Sequence, residues 1–89
     1  MIARSLGVVG RVQGVGYRDA MIAVAVAAGL HGYVRNLADG SVEAHLQGDD
    51  EAVARVIAWA AHGPLLARVD CVRVEALAPA SAHTSFRRA

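Results

Sequence analysis

A glycine-rich stretch near the amino terminus carries the first candidate chemistry. Residues 10–19 read GRVQGVGYRD, in which three glycines precede Arg18 and an alanine-rich segment that predicts a helix. Glycine lets the backbone adopt positive φ and approach a ligand closely, so that successive N–H groups can converge on an anion. Free N–H groups at a helix start add positive partial charge, and a guanidinium is suited to phosphate oxygens. The stretch therefore predicts an oxyanion pocket, most simply one for phosphate.

The same stretch matches neither of the two common phosphate-loop motifs. It lacks the Gly-Lys-Ser/Thr ending of a Walker loop, and residues 14–19 lack the last glycine of G-x-G-x-x-G. A glycine-rich strand-to-helix turn whose arginine faces solvent is therefore an alternative interpretation of these residues by themselves.

Asn36, the only asparagine in the chain, is the second candidate. It ends a predicted strand just before the turn at residues 38–40. A neutral amide both donates to and accepts from a water molecule, so it could serve a site beside the anion pocket. Asparagine is also common in turns for structural reasons, and its position alone leaves both interpretations open.

The other reactive side chains form no recognisable catalytic or metal-binding pattern. The four histidines lack metal-ligand spacing, and alternation places His31 and His45 on exposed strand faces. Helix capping explains the acids at residues 49–51. Cys71 is expected to be partly exposed, with no histidine or second cysteine beside it to support a nucleophile. We therefore expect neither a metal nor a cofactor.

Composition restricts the class of protein. The 89 residues are 55% apolar, which predicts one domain, residues 1–89, with one modest core. Nine arginines, no lysine and eight acids give a charge of +1, without the basic footprint of a nucleic-acid or membrane binder. A single cysteine fits a reducing cytosol. No signal-like segment is apparent, and the apolar run at residues 20–28 is shorter than the ~20 residues of a membrane span. We expect a cytoplasmic protein.

Apolar periodicity predicts five strands and two helices. The strands cover residues 3–12, 30–37, 41–47, 67–77 and 84–88, and the helices cover residues 20–28 and 49–62. Asp39-Gly40 predicts a hairpin turn. In the third strand Glu43, His45 and Gln47 alternate with apolar residues, which predicts one buried and one wet face. Val69 breaks the alternation of the fourth strand and indicates a bulge near Asp70.

The order of these elements predicts the fold. βαββαβ with a short final strand is the split βαβ, ferredoxin-like arrangement of the α+β class, with two helices on one face of an antiparallel sheet. Right-handed crossovers place the first and third strands centrally, so the end of the second strand can reach the glycine-rich loop. The RNA-binding use of this scaffold needs aromatic side chains on the open face. The predicted outward positions carry none: Ser5, Gly7, Val9, Glu43, His45 and Gln47.

Two segments resemble the signatures of the acylphosphatase family. Residues 8–18, VVGRVQGVGYR, resemble the first, and residues 32–42, GYVRNLADGSV, running on to Gly48, resemble the second. They occur in the family's order in a chain of the family's length, and the ending at residues 86–88 also fits. Tyr17 stands where the family usually has phenylalanine.

The resemblance implies hydrolysis of a small-molecule acyl phosphate to a carboxylate and inorganic phosphate, which is also expected to inhibit. It assigns Arg18 and Asn36 as catalytic, with Asn36 positioning the attacking water. It assigns phosphate binding to the loop: Gly14, Val15, Gly16, Tyr17 and Arg18. A carboxylate leaving group needs no strong general acid, so positioning and charge stabilisation suffice. We expect a metal-free monomer.

Two alternative functions follow from the same residues. One is a non-catalytic module of this fold that binds phosphate or a carboxylate metabolite. The other is an RNA-binding module, which the missing aromatics and the small charge disfavour. The presence of both Arg18 and Asn36 favours the enzyme, because binding alone does not need Asn36.

Overall fold

The computed structural model describes residues 1–81 and 83–89. Within these residues five strands and two helices follow one another along the chain. They are β1 (Ile2–Arg11), α1 (Tyr17–Ala27), β2 (His31–Asn36), β3 (Val42–Gly48), α2 (Asp50–Ala60), β4 (Arg68–Leu77) and β5 (Phe86–Arg88). The predicted element order is confirmed, and the main difference in bounds is that α1 begins at Tyr17 rather than at residue 20. Neither helix has the length and apolar character needed to cross a membrane.

The strands form one sheet in the order β4-β1-β3-β2-β5. The first four strands pair antiparallel, with β1 and β3 inside the sheet as predicted. The final strand differs from the predicted antiparallel pattern because β5 pairs parallel to β2. After β4 the chain crosses to the far edge of the sheet and runs back, which gives β5 the direction of β2. The sheet is therefore mixed, and the α+β, ferredoxin-like class is confirmed.

The core lies between the sheet and the two helices. Helix α1 buries Tyr17, Met21 and Ala25, which recur every fourth residue and so share one face. Helix α2 buries Ala52, Val53, Val56 and Ala60. The strands supply the facing residues, among them Leu6, Val8, Val34, Val42, Ala44 and Leu46. Small alanine side chains on both helices let them lie close to the sheet.

Helix α2 begins, and helix α1 ends, where the local sequence predicts. Asp49 caps α2 by accepting the Glu51 N–H at 3.2 Å. Beyond α1, Gly29 adopts φ 74 and donates to the Val26 carbonyl at 3.0 Å, while the Leu30 N–H donates to the Ala25 carbonyl at 2.9 Å. This is the Schellman arrangement, which satisfies two carbonyls that the helix leaves free.

The predicted bulge in β4 is present. Val9 pairs with Cys71 but Gly10 pairs with Val69, so Asp70 is the extra residue. Gly10 has φ 139, and a Cβ at this position would lie 2.2 Å from the Arg68 carbonyl oxygen. Glycine is therefore required where β1 passes the bulge and enters the loop that follows. Cys71 is exposed, close to the prediction of partial exposure.

The prediction of a wet outer face on β3 is wrong for two residues. His45 is 8% exposed and Gln47 is 4% exposed. Gln47 exchanges two hydrogen bonds with the backbone of Ala80, at 2.8 and 2.7 Å. The His83 ring lies 4.4 Å from that of His45, and the Tyr33 ring lies 5.8 Å from His45 and 6.0 Å from His83, so the three rings pack together. The segment between β4 and β5 crosses this face, and alternation within β3 does not encode that long-range contact.

Protonation of His83 should weaken the fold. Burial is the largest cause that lowers the pKa of His83 from its ordinary 6.5, and neighbouring groups lower it further: His45, Arg87 and His31. The unfolded chain therefore binds a proton at higher pH than the folded chain does. We expect the thermal unfolding midpoint to fall as the pH is lowered through about 6.5. A pH series of melting curves measures this, and the fall should be smaller in His83→Gln; an equal fall would assign it to other groups.

Candidate active site

The loop between β1 and α1 has the backbone of an anion site. Gly14 adopts φ 73 and Gly16 adopts φ 80, both in the left-handed region that favours glycine. Gly16 also serves as the N-cap of α1 without any side-chain cap. The Ala20 N–H donates to the Gly16 carbonyl at 3.0 Å, so the N–H groups of residues 17–19 have no partner within the helix. These free donors and the helix dipole favour an anion at this end.

A pocket of about 150 Å³ opens at this loop. Its lining residues are Val12, Gly14, Gly16, Tyr17, Arg18, Asp19, Asn36 and Arg88. Strand β3 pairs with both β1 and β2, so the end of β2 lies at the same edge of the sheet as the loop after β1. The structure thus brings together Arg18 and Asn36, which the sequence places in separate segments. Val15 does not line the pocket, and its side chain packs against the hydrophobic core.

Arg18 presents an uncompensated charge to the pocket. It is half-buried, and no acidic residue in ranges 1–81 and 83–89 forms an ion pair with it. A guanidinium with unengaged donors can bind two phosphate oxygens at once. Arg18 is therefore free to meet an anionic ligand without first breaking a protein contact.

Asn36 lines the same pocket and carries an unsatisfied acceptor. Its Oδ1 atom is buried and has no hydrogen-bond partner among the described residues. A buried polar atom without a partner costs about 1–3 kcal/mol, so such atoms are uncommon in folded proteins. The position suits an amide oxygen that accepts a hydrogen bond from a water molecule or a ligand.

The side chain of Tyr17 belongs to the core rather than to the pocket. It is 1% exposed, and its hydroxyl donates to the Ala60 carbonyl at the end of α2 at 2.8 Å. Burial raises the pKa of this phenol well above its usual value. Its ring lies 5.4 Å from Trp59 and directly against Gly63, where a Cβ would approach to 2.7 Å. The Ala60 carbonyl therefore accommodates the hydroxyl that distinguishes tyrosine from phenylalanine at this position. Only the backbone of Tyr17 is left to contact a ligand.

Gln13 is a site residue that the sequence reasoning missed. Its Nε2 donates to the carbonyls of Leu37 at 2.7 Å and Ser41 at 2.9 Å, on the connection between β2 and β3. One side chain thus ties the glycine loop to the hairpin that bears Asn36. The local signal was an isolated polar residue inside an otherwise small and apolar loop.

For the acyl phosphate hydrolysis that the resemblance implies, removing this tie should lower turnover more than phosphate binding. We expect Gln13→Ala to reduce kcat on the order of tenfold, because small misplacements between reacting groups are costly. The inhibition constant of inorganic phosphate should change little, since the loop donors and Arg18 are intact. Steady-state assays with a phosphate titration measure both. The isosteric Gln13→Glu, which faces the two carbonyls without a donor, should do at least as much harm; a wild-type kcat in both variants would remove Gln13 from this role.

Arg88 is the second residue that sequence reasoning did not place in the site. Its Nη2 lies 2.8 Å from Oδ1 of Asp19, and both side chains line the pocket. No local pattern near residue 88 signals this, because the position depends on the parallel pairing of β5 with β2.

The described residues contain no group of three or more histidine, cysteine or acidic side chains arranged to hold a metal ion. Within the pocket lining, Asp19 is the one acid, and Arg88 already engages it. The side chains around the pocket are therefore those of an anion site.

Comparison with known proteins identifies the family of the chain. The family model described as Acylphosphatase matches residues 4–88. An acylphosphatase of Thermococcus kodakarensis is 54% identical over 70 residues, covering 79% of this chain and 77% of the relative. One of Rhodopseudomonas palustris is 50% identical over 78 residues, covering 88% of this chain and 79% of the relative. The crystal structure of acylphosphatase from Bacillus subtilis superimposes with a TM-score of 0.96 at 29% identity, covering 100% of this chain and 99% of that one. The chain therefore belongs to the acylphosphatase family, and it is a hydrolase that converts an acyl phosphate into a carboxylate and inorganic phosphate.

Proposed function

We propose that the pocket performs this hydrolysis without a metal ion, with the loop Gly14, Val15, Gly16, Tyr17 and Arg18 holding the phosphoryl group and Asn36 positioning the water. One observation carries the proposal: a single pocket is lined by Arg18, whose guanidinium has no ion-pair partner among the described residues, and by Asn36, whose buried Oδ1 has no hydrogen-bond partner there. Hydrolysis at phosphorus requires hydrogen-bond donors that hold the phosphoryl oxygens and an acceptor that positions the attacking water.

The reaction needs few protein groups because the leaving group is a carboxylate. Water attacks phosphorus as the bond between phosphorus and the acyl oxygen breaks, and the carboxylate departs with that electron pair. Charge spreads over the phosphoryl oxygens in the transition state, where backbone N–H groups and Arg18 can stabilise it. Asn36 is neutral and is not a strong base. One proton of the water passes to a phosphoryl oxygen, and the other stays on the attacking oxygen. Because water attacks phosphorus directly, inorganic phosphate leaves without a covalent enzyme intermediate.

The working form of the protein is part of the same proposal. Residues 1–89 act as one domain, as a monomer in the cytoplasm. The lone exposed Cys71 supports a reducing compartment, because it has no partner in the chain for a disulfide. Inorganic phosphate acts as a competitive inhibitor as well as a product, since the loop binds the phosphoryl end of the substrate.

Hydrolysis of benzoyl phosphate in excess chelator tests the metal-free site. We expect full activity with EDTA present, because no step uses a metal ion, and competitive inhibition by inorganic phosphate. Loss of activity that added metal restores would contradict the mechanism. Phosphate binding without hydrolysis would instead favour the non-catalytic module. Sedimentation of the same sample should give the mass of a monomer.

A further inference from the structure

The last strand brings a second guanidinium to the pocket. Arg88 pairs with Val34 in the parallel ladder between β5 and β2, and the Ala89 N–H donates to the Val34 carbonyl at 2.9 Å. Val34 is fully buried under the helices, so Arg88 emerges on the helix side of the sheet. Asn36 lies two residues further along β2 on that same side. The pairing of the strands therefore places Arg88 beside Asn36 at the pocket.

An ion pair holds this side chain at the rim. Nη2 of Arg88 lies 2.8 Å from Asp19 Oδ1, while the Arg88 side chain is 49% exposed. A pair as exposed as this adds little to stability, so its main consequence is the orientation of the guanidinium. The single contact engages one nitrogen. The remaining donors of Arg88 have no partner among the residues that the structure describes.

We propose that Arg88 binds phosphoryl oxygens of the substrate and of inorganic phosphate together with Arg18, and that Asp19 orients it. This inference rests on the proposed function of the pocket. The two arginines and one aspartate leave one positive charge in excess, which the helix N-terminus reinforces toward a phosphate dianion. A planar fork with free donors suits such oxygens.

The position of Arg88 also indicates which part of the substrate it meets. It stands next to Asn36, on the side where the water attacks. In an in-line displacement the acyl group leaves on the opposite side. Arg88 therefore contacts the phosphoryl end, and its contribution is the same for different acyl groups.

The competing explanation is that Arg88 only neutralises Asp19, whose carboxylate would otherwise repel phosphate. A double-mutant cycle separates the two. Binding of inorganic phosphate is measured by calorimetry on the wild type, Arg88→Gln, Asp19→Asn and the double variant. Arg87→Gln is the matched control, because it removes the same charge one residue away on the other face of β5.

We expect Arg88→Gln to weaken phosphate binding about tenfold in the wild type, and by a smaller but still measurable factor in the Asp19→Asn background, where Arg88 keeps its charge but loses the carboxylate that orients it. KM should rise by a similar factor for benzoyl phosphate and for acetyl phosphate, and Arg87→Gln should change little. Arg88→Lys, which keeps the charge but not the fork, should fall between. If Arg88→Gln does not fold by circular dichroism, the lysine variant supplies the comparison.

Three results would overturn the proposal. The first is an Arg88→Gln effect on phosphate binding that vanishes in the Asp19→Asn background. The second is an equal effect of Arg87→Gln. The third is a phosphate affinity that Arg88→Gln leaves unchanged, although the wild-type protein hydrolyses benzoyl phosphate. The last result leaves the hydrolytic mechanism standing. Conversely, phosphate binding that depends on Arg88 in a protein without hydrolytic activity would refute that mechanism and leave this inference standing.

Discussion

Arg18→Ala should lower kcat/KM for benzoyl phosphate about 10³-fold or more, as loss of a guanidinium does in other phosphoryl-transfer enzymes. Arg18 is the arginine of the glycine loop, and no ion pair with a described residue competes for its charge. Its removal takes positive charge away from both the bound phosphate and the transition state. We therefore also expect inhibition by inorganic phosphate to weaken sharply in the same variant.

The control for Arg18 is Arg11→Ala. Arg11 is an exposed arginine at the end of β1, close in sequence and outside the pocket lining. The Arg11→Ala variant removes the same net charge as Arg18→Ala. Because Arg11 lies outside the pocket, the kcat/KM of this variant should remain near that of the wild type. Arg18→Lys keeps the charge without the planar fork and should recover only part of the lost activity. Unchanged phosphate inhibition in Arg18→Ala would contradict the role given to this residue.

Asn36→Ala should lower kcat on the order of 10²-fold, as removal of one preorganised polar group does in other active sites. The inhibition constant of inorganic phosphate should stay close to that of the wild type. The reason is that, in the proposed mechanism, Asn36 places the water, while the loop and the arginines hold the phosphate. Initial-rate measurements with a phosphate titration separate these two quantities.

Two further variants sharpen the result for Asn36. Asn36→Asp keeps an acceptor but adds a negative charge beside the phosphate, so its KM and its phosphate inhibition constant should rise. Arg35→Ala changes the preceding residue, which forms an ion pair with Glu43 at 2.7 Å and lies outside the pocket lining. Its kcat should be near normal. A normal kcat in Asn36→Ala would exclude Asn36 from the mechanism.

Sequence patterns predicted well the features that a few neighbouring residues encode. Asp49 caps α2 and Gly29 closes α1, since capping depends on side chains and φ angles within one turn. The bulge at Asp70 was visible as a broken alternation. The start of α1 was misplaced because its N-cap is Gly16, which has no side chain to signal a helix.

Predictions that relied on local alternation failed where distant segments meet. His45 and Gln47 occupy outward positions of β3, yet the chain between β4 and β5 covers them. Alternation reports only which side of a strand a residue faces. Whether that side is wet depends on what crosses it, and here the covering residue, Ala80, lies 33 positions away.

The sequence by itself determined the glycine-rich loop for which we propose phosphate binding, because the glycines at residues 14 and 16 and the arginine at 18 act through the backbone and charge of five successive residues. Tertiary structure alone decided which distant groups join that loop. Gln13 reaches carbonyls 24 and 28 residues away, and Arg88 reaches Asp19 only because β5 adds parallel to β2. Strand pairing across the whole chain sets these positions, and no local periodicity encodes it.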